Sequence, residues 1–272
     1  MGSISNSADV LKFVWEHPAN EGARVWAVMR SVRFQASGRL LRRRTLARIG
    51  ERSRIWVDLH RTSASKVLYA NPPDWPEMLV WRNFLGPGDL FIDVGANIGS
   101  YAIWAADLGA EVIAIEPAED TFALLTENIA LNEYPITAIQ AVAGAKCGTT
   151  RFTVGLDSVN RIDPEGPAEA RMLAIDSVIK DRKVAGMKVD VEGFEIEVLR
   201  GCERMLSEHR VRLIQLEWNQ ASLKAVGMDR GPVADLLSRY RYSLFRPDRH
   251  GSLSPLQDEG GFGPDIFARP LP

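Results

Sequence analysis

The hydrophobic residues of the first fifty positions recur with the period of an α-helix. Between residues 8 and 50 they return every three or four positions, and no proline interrupts the pattern after Pro18. A short apolar run at 55–59 is compatible with a strand, and the proline-rich segment 71–76 interrupts the chain before a further helix. We therefore predict an N-terminal helical arm over residues 1–70, followed by a larger domain over residues 71–272.

From residue 89 onward, short apolar segments alternate with helical ones. The predicted strands are Asp89–Val94, Glu111–Glu116, Ile136–Ala143, Gly186–Asp190, Arg212–Glu217, Tyr242–Phe245 and Asp265–Ala268. Because strands that lack polar alternation are buried on both faces, this pattern is typical of a parallel sheet covered by helices. The prediction is an α/β fold with a doubly wound, mostly parallel seven-stranded sheet.

The composition is that of an ordinary globular protein. Of the 272 residues, 46% are hydrophobic and 25% are charged. No uncharged apolar run is long enough for a membrane-spanning helix, and the first nine residues lack the pattern of a secretory signal. Two cysteines are too few for a disulfide framework or a four-ligand zinc site. We expect a cytoplasmic protein without a membrane span.

The charge is distributed unevenly along the chain. Residues 21–62 carry 11 arginines and 3 acids, a net +8, whereas the remainder carries a net −10. The arginine-rich segment 39–54 is compatible with a solvated helix face, a nucleic-acid contact or a flap that recognises an anion. It lacks interleaved aromatic residues, so nucleic acid is not the favoured partner. We favour an arm that covers a substrate-binding crevice of the larger domain or packs against a second subunit in a homodimer.

A glycine-containing turn follows the first predicted strand of the larger domain. The string Asp93-Val-Gly95-Ala-Asn97-Ile-Gly99 joins that strand to a helix, and glycine there lets a ligand approach the backbone closely. The string is not G-x-G-x-x-G, which weakens a dinucleotide interpretation. Glu116 ends the next strand, 23 residues after Asp93, where a carboxylate can accept both hydroxyls of a ribose.

Two strand-end acids across a glycine turn suit S-adenosylmethionine, which has an adenosine, a charged amino-acid tail and no phosphate. We expect Asp93 near the ammonium group, the amides of 95–99 facing the carboxylate, and Glu116 on the ribose. The alternative is that Asp93 caps a helix and Glu116 is a solvated strand end. The predicted cofactor-binding residues are Asp93, Gly95, Ala96, Asn97, Gly99, Glu116, Pro117, Ala141 and Asp190.

Residues 78–217 resemble the FkbM-type family of S-adenosylmethionine-dependent methyltransferases. The resemblance is carried by four strings: Phe91-Ile-Asp-Val-Gly-Ala-Asn-Ile-Gly99, Glu116-Pro117, Glu127-Asn128 with Leu131-Asn132, and Lys188-Val-Asp-Val-Glu-Gly-Phe-Glu195 with Val198-Leu-Arg-Gly201. It implies a Rossmann-like class I methyltransferase fold and O-methylation of a hydroxyl, often on a sugar or natural product. It does not cover residues 1–70.

The acceptor side of the predicted site contains several acids. Asp190 and Glu217 end neighbouring strands and should point into the same crevice. Asp190 or Glu192 is a candidate base for the acceptor hydroxyl, and His250, on a loop, is a third candidate, although a surface histidine is the commoner case. Asp190 and Glu217 are also candidate ligands of Mg²⁺.

The remaining acids of this segment have a simpler interpretation. Glu195 and Glu197 are expected in the solvated first turn of a helix, where acids suit the helix dipole. Lys188 is expected to pair with a neighbouring acid.

The sequence therefore predicts an S-adenosylmethionine-dependent O-methyltransferase that acts on a hydroxyl of a small-molecule or oligosaccharide acceptor, with a sugar or glycan favoured. An NAD-dependent oxidoreductase or epimerase is the first competing function, although the G-x-G-x-x-G string and a Tyr-x-x-x-Lys pair are missing. An RNA methyltransferase that uses the basic arm, and a binding module with an inactive site, also compete with this prediction.

Overall fold

The computed structural model describes residues 7–41, 43–59, 62–152, 166–218, 230–256 and 265–271. The N-terminal segment contains helix α1 (Ser7–Glu16), a 3₁₀ turn (Pro18–Asn20) and helix α2 (Arg24–Leu41). A hairpin of strands β1 (Thr45–Ile49) and β2 (Ser53–Val57) follows, and then helix α3 (Thr62–Tyr69). Among the described residues, no helix has both the length and the apolar character needed to cross a bilayer.

The prediction of continuous helix over residues 8–50 is wrong in two places. The chain leaves helical structure after Glu16, where the ring Nδ1 of His17 accepts the N–H of Ala19 at 3.2 Å. The helix ends again after Leu41, and strand β1 occupies residues 45–49, which were predicted to be helical. In β1, Ala47 and Ile49 are buried on either side of an exposed arginine, which is the alternation of a half-buried strand.

The larger domain begins with helix α4 (Trp75–Phe84), after which strands and helices alternate. The first half contains β3 (Leu90–Val94), α5 (Ser100–Asp107), β4 (Glu111–Ile115), α6 (Glu119–Ala130) and β5 (Ile136–Ile139). Three strands of a separate small sheet follow: β6 (Val142–Ala143), β7 (Gly148–Phe152) and β8 (Ala168–Leu173). The predicted strand 136–143 is therefore divided between two sheets.

The second half of the domain completes the main sheet. Its elements are α7 (Ile175–Ile179), β9 (Val184–Val189), α8 (Glu195–Arg200), α9 (Glu203–Ser207), β10 (Val211–Leu216), α10 (Gly231–Arg239), β11 (Tyr242–Pro247), β12 (Leu253–Pro255) and β13 (Ile266–Pro270).

Eight of the described strands form the main sheet, in the order β12-β11-β13-β10-β9-β3-β4-β5. The strands from β10 to β5 are parallel, and β13 is antiparallel to both of its neighbours. Seven of the eight correspond to the predicted strands, and the three-residue β12 is an addition at one edge. The strand order reverses between β3 and β9, so this topological switch point opens a crevice at the carboxyl ends of the parallel strands.

Helices and the N-terminal segment bury the two faces of this sheet in two apolar clusters. On one face, Phe34, Ile49 and Ile55 of the N-terminal segment belong to the same cluster as Trp81 and Phe91 of the larger domain. The second cluster lies on the other face, among β9, α8, α9 and α10. The N-terminal segment therefore completes the core of the sheet. The division at residue 70 stays a prediction.

The contact between hairpin and domain is also polar. Asp107 Oδ1 accepts hydrogen bonds from the hydroxyls of Ser53 and Tyr134, at 2.8 Å each. Asn128 Oδ1 accepts the N–H of Trp56 at 2.8 Å. Arg44 forms a bidentate ion pair with Glu127. This arginine of the basic segment therefore binds the arm to α6.

Candidate active site

Four acidic residues lie at the carboxyl ends of four neighbouring parallel strands. Asp93 is the penultimate residue of β3, Glu116 directly follows β4, Asp190 follows β9, and Glu217 follows β10. Because these strands are adjacent and parallel, their ends meet at one edge of the sheet. The structure thus brings together the strand-end acids that the sequence singled out.

The turn between β3 and α5 depends on residues with left-handed backbone. Gly95, Asn97 and Gly99 have φ values of 78°, 51° and 96°. A Cβ at Gly95 would overlap the carbonyl oxygen of Asp190, so glycine permits this turn to pack directly against the end of β9. Asn97 is among the few non-glycine residues that tolerate this conformation, as the sequence indicated.

The amides of residues 95–99 are all engaged within the protein. The N–H groups of Gly95 and Ala96 both donate to Ile115 O at 3.0 Å. The next amide, that of Asn97, donates to Glu116 Oε2 at 2.9 Å. The last two donate to Asn97 Oδ1 and to the carbonyl of residue 96. The expectation that these amides face a ligand carboxylate is therefore wrong, because their hydrogen bonds build the turn itself.

Glu116 connects the glycine turn to the end of β4. Its Oε2 accepts the N–H of Asn97, and its Oε1 accepts the N–H of Ala118 at 3.0 Å. The side chain is buried, which excludes the alternative of a solvated strand end. Burial raises the pKa of Glu116 to about 7, although the two backbone N–H groups counteract this effect. Each oxygen keeps a lone pair for a further donor, such as a ribose hydroxyl.

Asp93 is the buried acid of the site whose carboxylate lacks hydrogen bonds. The residue is 1% exposed, and neither of its carboxylate oxygens has a hydrogen-bond partner among the described residues. Burial raises the pKa of Asp93 to about 6, and the positive charge of Lys188 and, more weakly, the nearby backbone N–H of Ala102 oppose this shift. Buried polar atoms are nearly always hydrogen-bonded, so two orphaned oxygens fit a bound ligand with N–H donors, such as an ammonium group.

Two of the predicted cofactor-binding residues lie at the margin of this arrangement. Pro117 is half-buried next to Glu116. Ala141 lies between β5 and β6 and is packed in the apolar cluster on the second face of the sheet. The roles of both residues stay predictions.

Asp190, Glu192 and Glu217 form an acidic triad beside Asp93. Each offers one carboxylate oxygen, and these oxygens lie within 4.8 Å of one another. The turn that carries Glu192 is sharp, with φ values of 51° at Glu192 and 101° at Gly193. The predicted base candidates and the predicted metal ligands are thus parts of one cluster, and Glu192 is a third oxygen donor that the sequence assigned only to catalysis.

The electrostatics of the triad follow from burial and repulsion. Burial, and then the charges of Asp190 and Glu195, raise the pKa of Glu192 to about 7. Burial, and then the negative charges of Asp190 and Glu192, raise the pKa of Glu217 to about 10. At neutral pH, Glu217 therefore retains its proton and can donate a hydrogen bond.

Lys188 supplies positive charge beneath these acids. Its ammonium group donates to Asp190 Oδ2 at 2.7 Å and lies 4.6 Å from the centre of the Tyr101 ring. Burial alone would lower the pKa of Lys188, but the carboxylates of Asp190 and Asp93 outweigh it and raise this pKa. The predicted pairing of Lys188 with a neighbouring acid is confirmed, and it fixes the orientation of Asp190.

Glu195 is not in a solvated helix turn, so that expectation is wrong. The residue is buried, and its Oε2 forms an ion pair with Arg230 Nη1 at 2.8 Å, both side chains being less than a tenth exposed. Its Oε1 accepts the N–H of Gly193 at 3.0 Å. Arg230 also lies over the ring of Trp218, 5.5 Å from its centre. This pair holds the Glu192 turn against the start of α10. Glu197 is partly exposed and pairs with Arg200.

Sequence reasoning also missed two acids whose charges act on the site: Asp265 on Asp190 and Lys188, and Glu77 on Asp265. Burial raises the pKa of Glu77, on α4, to about 8, with Asp265 as the next contributor. Asp265 precedes β13, and its Oδ2 accepts a hydrogen bond from Gln215 Nε2 at 2.8 Å. The signals were present: Glu77 is a single acid in an otherwise apolar helix segment, and an antiparallel final strand begins at the crevice end of the sheet.

His250 lies in the exposed turn between β11 and β12. Its ring Nε2 accepts a hydrogen bond from Arg249 Nε at 3.0 Å, and its backbone N–H donates to Asp248. Among the described residues, its hydrogen bonds lead to this turn and to Asn83 on α4, not to the triad. A catalytic role for His250 stays a prediction.

Comparison with a known relative adds to this geometry. The hexuronic acid methyltransferase AglP of Haloferax volcanii is 28% identical to the chain over 161 residues, which cover 57% of this chain and 64% of AglP. The chain thus matches less than two thirds of the length of this relative.

Solved structures show more distant similarity. Precorrin-6y C5,15-methyltransferase from Geobacter metallireducens has a TM-score of 0.40 and 13% identity, covering 70% of this chain and 86% of that one. The Thermus thermophilus 16S rRNA N2 G1207 methyltransferase has a TM-score of 0.46 and 15% identity, covering 84% and 50%.

A family model also matches the chain. Residues 93–244 match the model of the methyltransferase FkbM domain, from the acid before the glycine turn to the middle of β11. This segment is more than half of the chain and contains all four strand-end acids. With its Rossmann-like class I sheet and its family match, the chain belongs to the FkbM methyltransferase family.

Proposed function

We propose that this protein is a methyltransferase that uses S-adenosylmethionine to methylate a hydroxyl of a small molecule, with sugars or glycans as the acceptor class. The single observation that carries the proposal is the buried carboxylate of Asp93, which lacks hydrogen bonds and lies beside the turn that Glu116 holds. The family match supports the donor, and the relative named for hexuronic acid supports the acceptor class.

The donor half of the site consists of Asp93, the glycine turn and Glu116. When bound, S-adenosylmethionine supplies an electrophilic methyl group on a sulfonium centre. Asp93 accepts hydrogen bonds from the ammonium group, which satisfies the two orphaned oxygens. Glu116 accepts the ribose hydroxyls through the lone pairs that Asn97 and Ala118 leave free. Gly95 keeps the turn close to β9, so that the donor and acceptor halves are adjacent.

The acceptor half uses the carboxylates of the triad to orient a hydroxyl and take its proton. Asp190 has a side chain that is 37% exposed, and Lys188 holds its Oδ2, which leaves Oδ1 available for an acceptor. Glu192 is the second candidate base, with a pKa of about 7, raised mainly by burial. A general base in this position contributes about 10²–10⁴-fold to the rate. Glu217, protonated at neutral pH, donates a hydrogen bond to an acceptor oxygen.

A magnesium ion is the second arrangement that the same three residues support. Carboxylate oxygens are the ligands that Mg²⁺ prefers, and one oxygen from each of Asp190, Glu192 and Glu217 lies within 4.8 Å of the others. Mg²⁺ held there would relieve the repulsion that contributes to the raised pKa of Glu217 and would favour the deprotonated form of a bound hydroxyl.

No specific observation favours the competing functions. The family match replaces the oxidoreductase prediction with methyl transfer. For RNA methylation, Arg44, in the centre of the basic segment, is engaged with Glu127. Homodimer formation and a cytoplasmic location stay predictions.

The proposal is tested with the full chain, S-adenosylmethionine and a panel of saccharides that includes hexuronic acids, with and without EDTA. The expected products are S-adenosylhomocysteine and a saccharide that is heavier by one methylene unit and carries a methyl ether. Loss of turnover in EDTA, restored by added Mg²⁺, would select the metal arrangement. Methyl transfer to an amine or a nucleobase in place of a hydroxyl would contradict the proposal.

A further inference from the structure

Helix α2 is apolar on two opposite faces. One face packs inward through Ala27, Ser31, Phe34 and Gly38, which recur every three or four positions and are buried. The residues on the opposite side point to solvent and are also apolar. They are Val25 (62% exposed), Met29, Val32 and Leu40 (81% exposed). Such a helix buries one apolar stripe in its own fold, and its second, exposed stripe is typical of a surface that contacts another molecule or a membrane.

Helix α1 extends this exposed surface. Leu11 and Trp15 lie one helical turn apart and are both exposed, and Trp26 at the start of α2 is 74% exposed. The guanidinium of Arg24 lies over the ring of Trp15, 5.8 Å from its centre, and thereby joins the two helices. Of the eight large hydrophobic residues that are exposed in the described part of the chain, all except Leu271 lie in these two helices. We call this surface the α1–α2 face; its residues are Leu11, Trp15, Val25, Trp26, Met29, Val32 and Leu40.

Basic residues border the α1–α2 face. Helix α2 contains four arginines and no acid. On the helix, Arg33 and Arg39 lie at the two edges of the apolar stripe, and both are exposed. Helix α1, which forms the other part of this face, contains Asp9, Lys12 and Glu16, and Glu21 lies between the two helices. Residues 21–62 carry a net +8 and the rest of the chain a net −10, so α2 belongs to the basic part of the sequence.

We propose that the α1–α2 face docks the protein on an anionic lipid surface. Aliphatic and indole side chains bordered by arginines are the pattern of helices that lie in the plane of a bilayer interface. The arginines of α2 are complementary to anionic headgroups. This inference does not depend on the proposed substrate.

A second copy of the chain is the less favoured occupant of this face. A two-fold dimer places the same surface of each subunit against the other. An α2–α2 contact would bring two sets of arginines together without a carboxylate in either helix to neutralise them. Anionic lipid has the negative charge that helix α2 lacks.

The experiment is co-sedimentation of the full chain with vesicles of phosphatidylcholine alone or mixed equally with phosphatidylglycerol. We expect binding to the anionic vesicles, weaker binding at higher salt and little binding to the neutral ones. The double variant Met29→Ser/Val32→Ser should reduce the partition coefficient at least about tenfold, and Arg33→Gln should reduce it about fivefold. Leu271→Ser, which alters an equally exposed apolar residue away from this face, should bind like the wild type.

The affected residues are exposed, so the variants should fold, and an unchanged melting temperature verifies this. Equal binding of the wild type to neutral and anionic vesicles, or wild-type binding by the double variant, would overturn the proposal. So would a wild-type dimer in analytical ultracentrifugation that Met29→Ser/Val32→Ser converts to a monomer, because a second copy would then occupy the face.

Discussion

At the scale of single residues, two neighbouring carboxylates of the site are satisfied in different ways. Glu116 accepts two backbone N–H groups and so belongs to the fold as much as to the donor site. Asp93 is buried without such bonds. The desolvation free energy of its buried charge is offset when a ligand donates hydrogen bonds to it. Asp93 therefore fits a role in ligand binding better than a role in stabilising the fold.

We expect Asp93→Asn to separate stability from binding. A raised folded-state pKa means that ionised Asp93 destabilises the fold above about pH 6, and this penalty disappears as the pH falls below the unfolded value near 3.8. At pH 7 the ligand-free variant should therefore melt no lower than the wild type, whereas the increase in melting temperature caused by S-adenosylhomocysteine should largely vanish.

Asp120→Asn is the control, because that residue is exposed in the first turn of α6. It should leave the melting temperature and the ligand response unchanged. A full ligand response in Asp93→Asn would show that Asp93 does not bind the donor.

The pH dependence of methyl transfer should identify the base. Burial and neighbouring acids raise the pKa of Glu192 to about 7, so this carboxylate can accept a proton only above that pH. In EDTA, kcat/KM should therefore increase with pH and level off above about pH 7. Glu192→Gln should remove this acidic limb and lower the rate by about 10²–10⁴-fold.

Glu197→Gln, three residues before Arg200 on α8, should keep the wild-type profile. If the limb survives in Glu192→Gln and is lost in Asp190→Asn, the base is Asp190.

At the scale of elements, the turn between β3 and α5 joins the two halves of the site. Gly95→Ala places a methyl group against the carbonyl of Asp190 and strains a backbone with φ of 78°. We expect a loss of at least about 2 kcal/mol in the free energy of unfolding, measured with urea, together with weaker donor binding.

Gly148→Ala is the matched control. No atom lies within 4 Å of the Cβ position at Gly148, and its φ is outside the left-handed region, so this change should be nearly neutral. An equally small effect at both glycines would show that the close approach at Gly95 is not needed.

The individual strands and helices show what the sequence could and could not predict. The parallel strands and their terminal acids were predictable because continuous apolar runs and chain-adjacent turns are local signals. Strand β1 was missed because its alternating residues follow a long helical stretch with arginines on both sides, whereas β2 overlaps the apolar run at 55–59 that was compatible with a strand. The burial of Glu195 was missed because it depends on Arg230, 35 residues away, which no local pattern places beside it.

At the scale of the whole molecule, the N-terminal segment and the sheet share one core. Phe34, Ile49 and Ile55 pack in the same cluster as Trp81 and Phe91. We therefore expect a chain that begins at residue 71 to lose cooperative thermal unfolding, as followed by circular dichroism. A truncated chain that melts cooperatively near the wild-type temperature would instead support the predicted boundary at residue 70.

The two edges of the main sheet affect how the protein can associate with other molecules. Among its described strands, the edge strands β12 and β5 are the shortest, with three and four residues. A short edge presents few unpaired N–H and C=O groups, so it offers little template on which an extended segment of another molecule can add. The protein should therefore resist fibrillar aggregation at high concentration, even though its interior consists of strands that would associate readily if released.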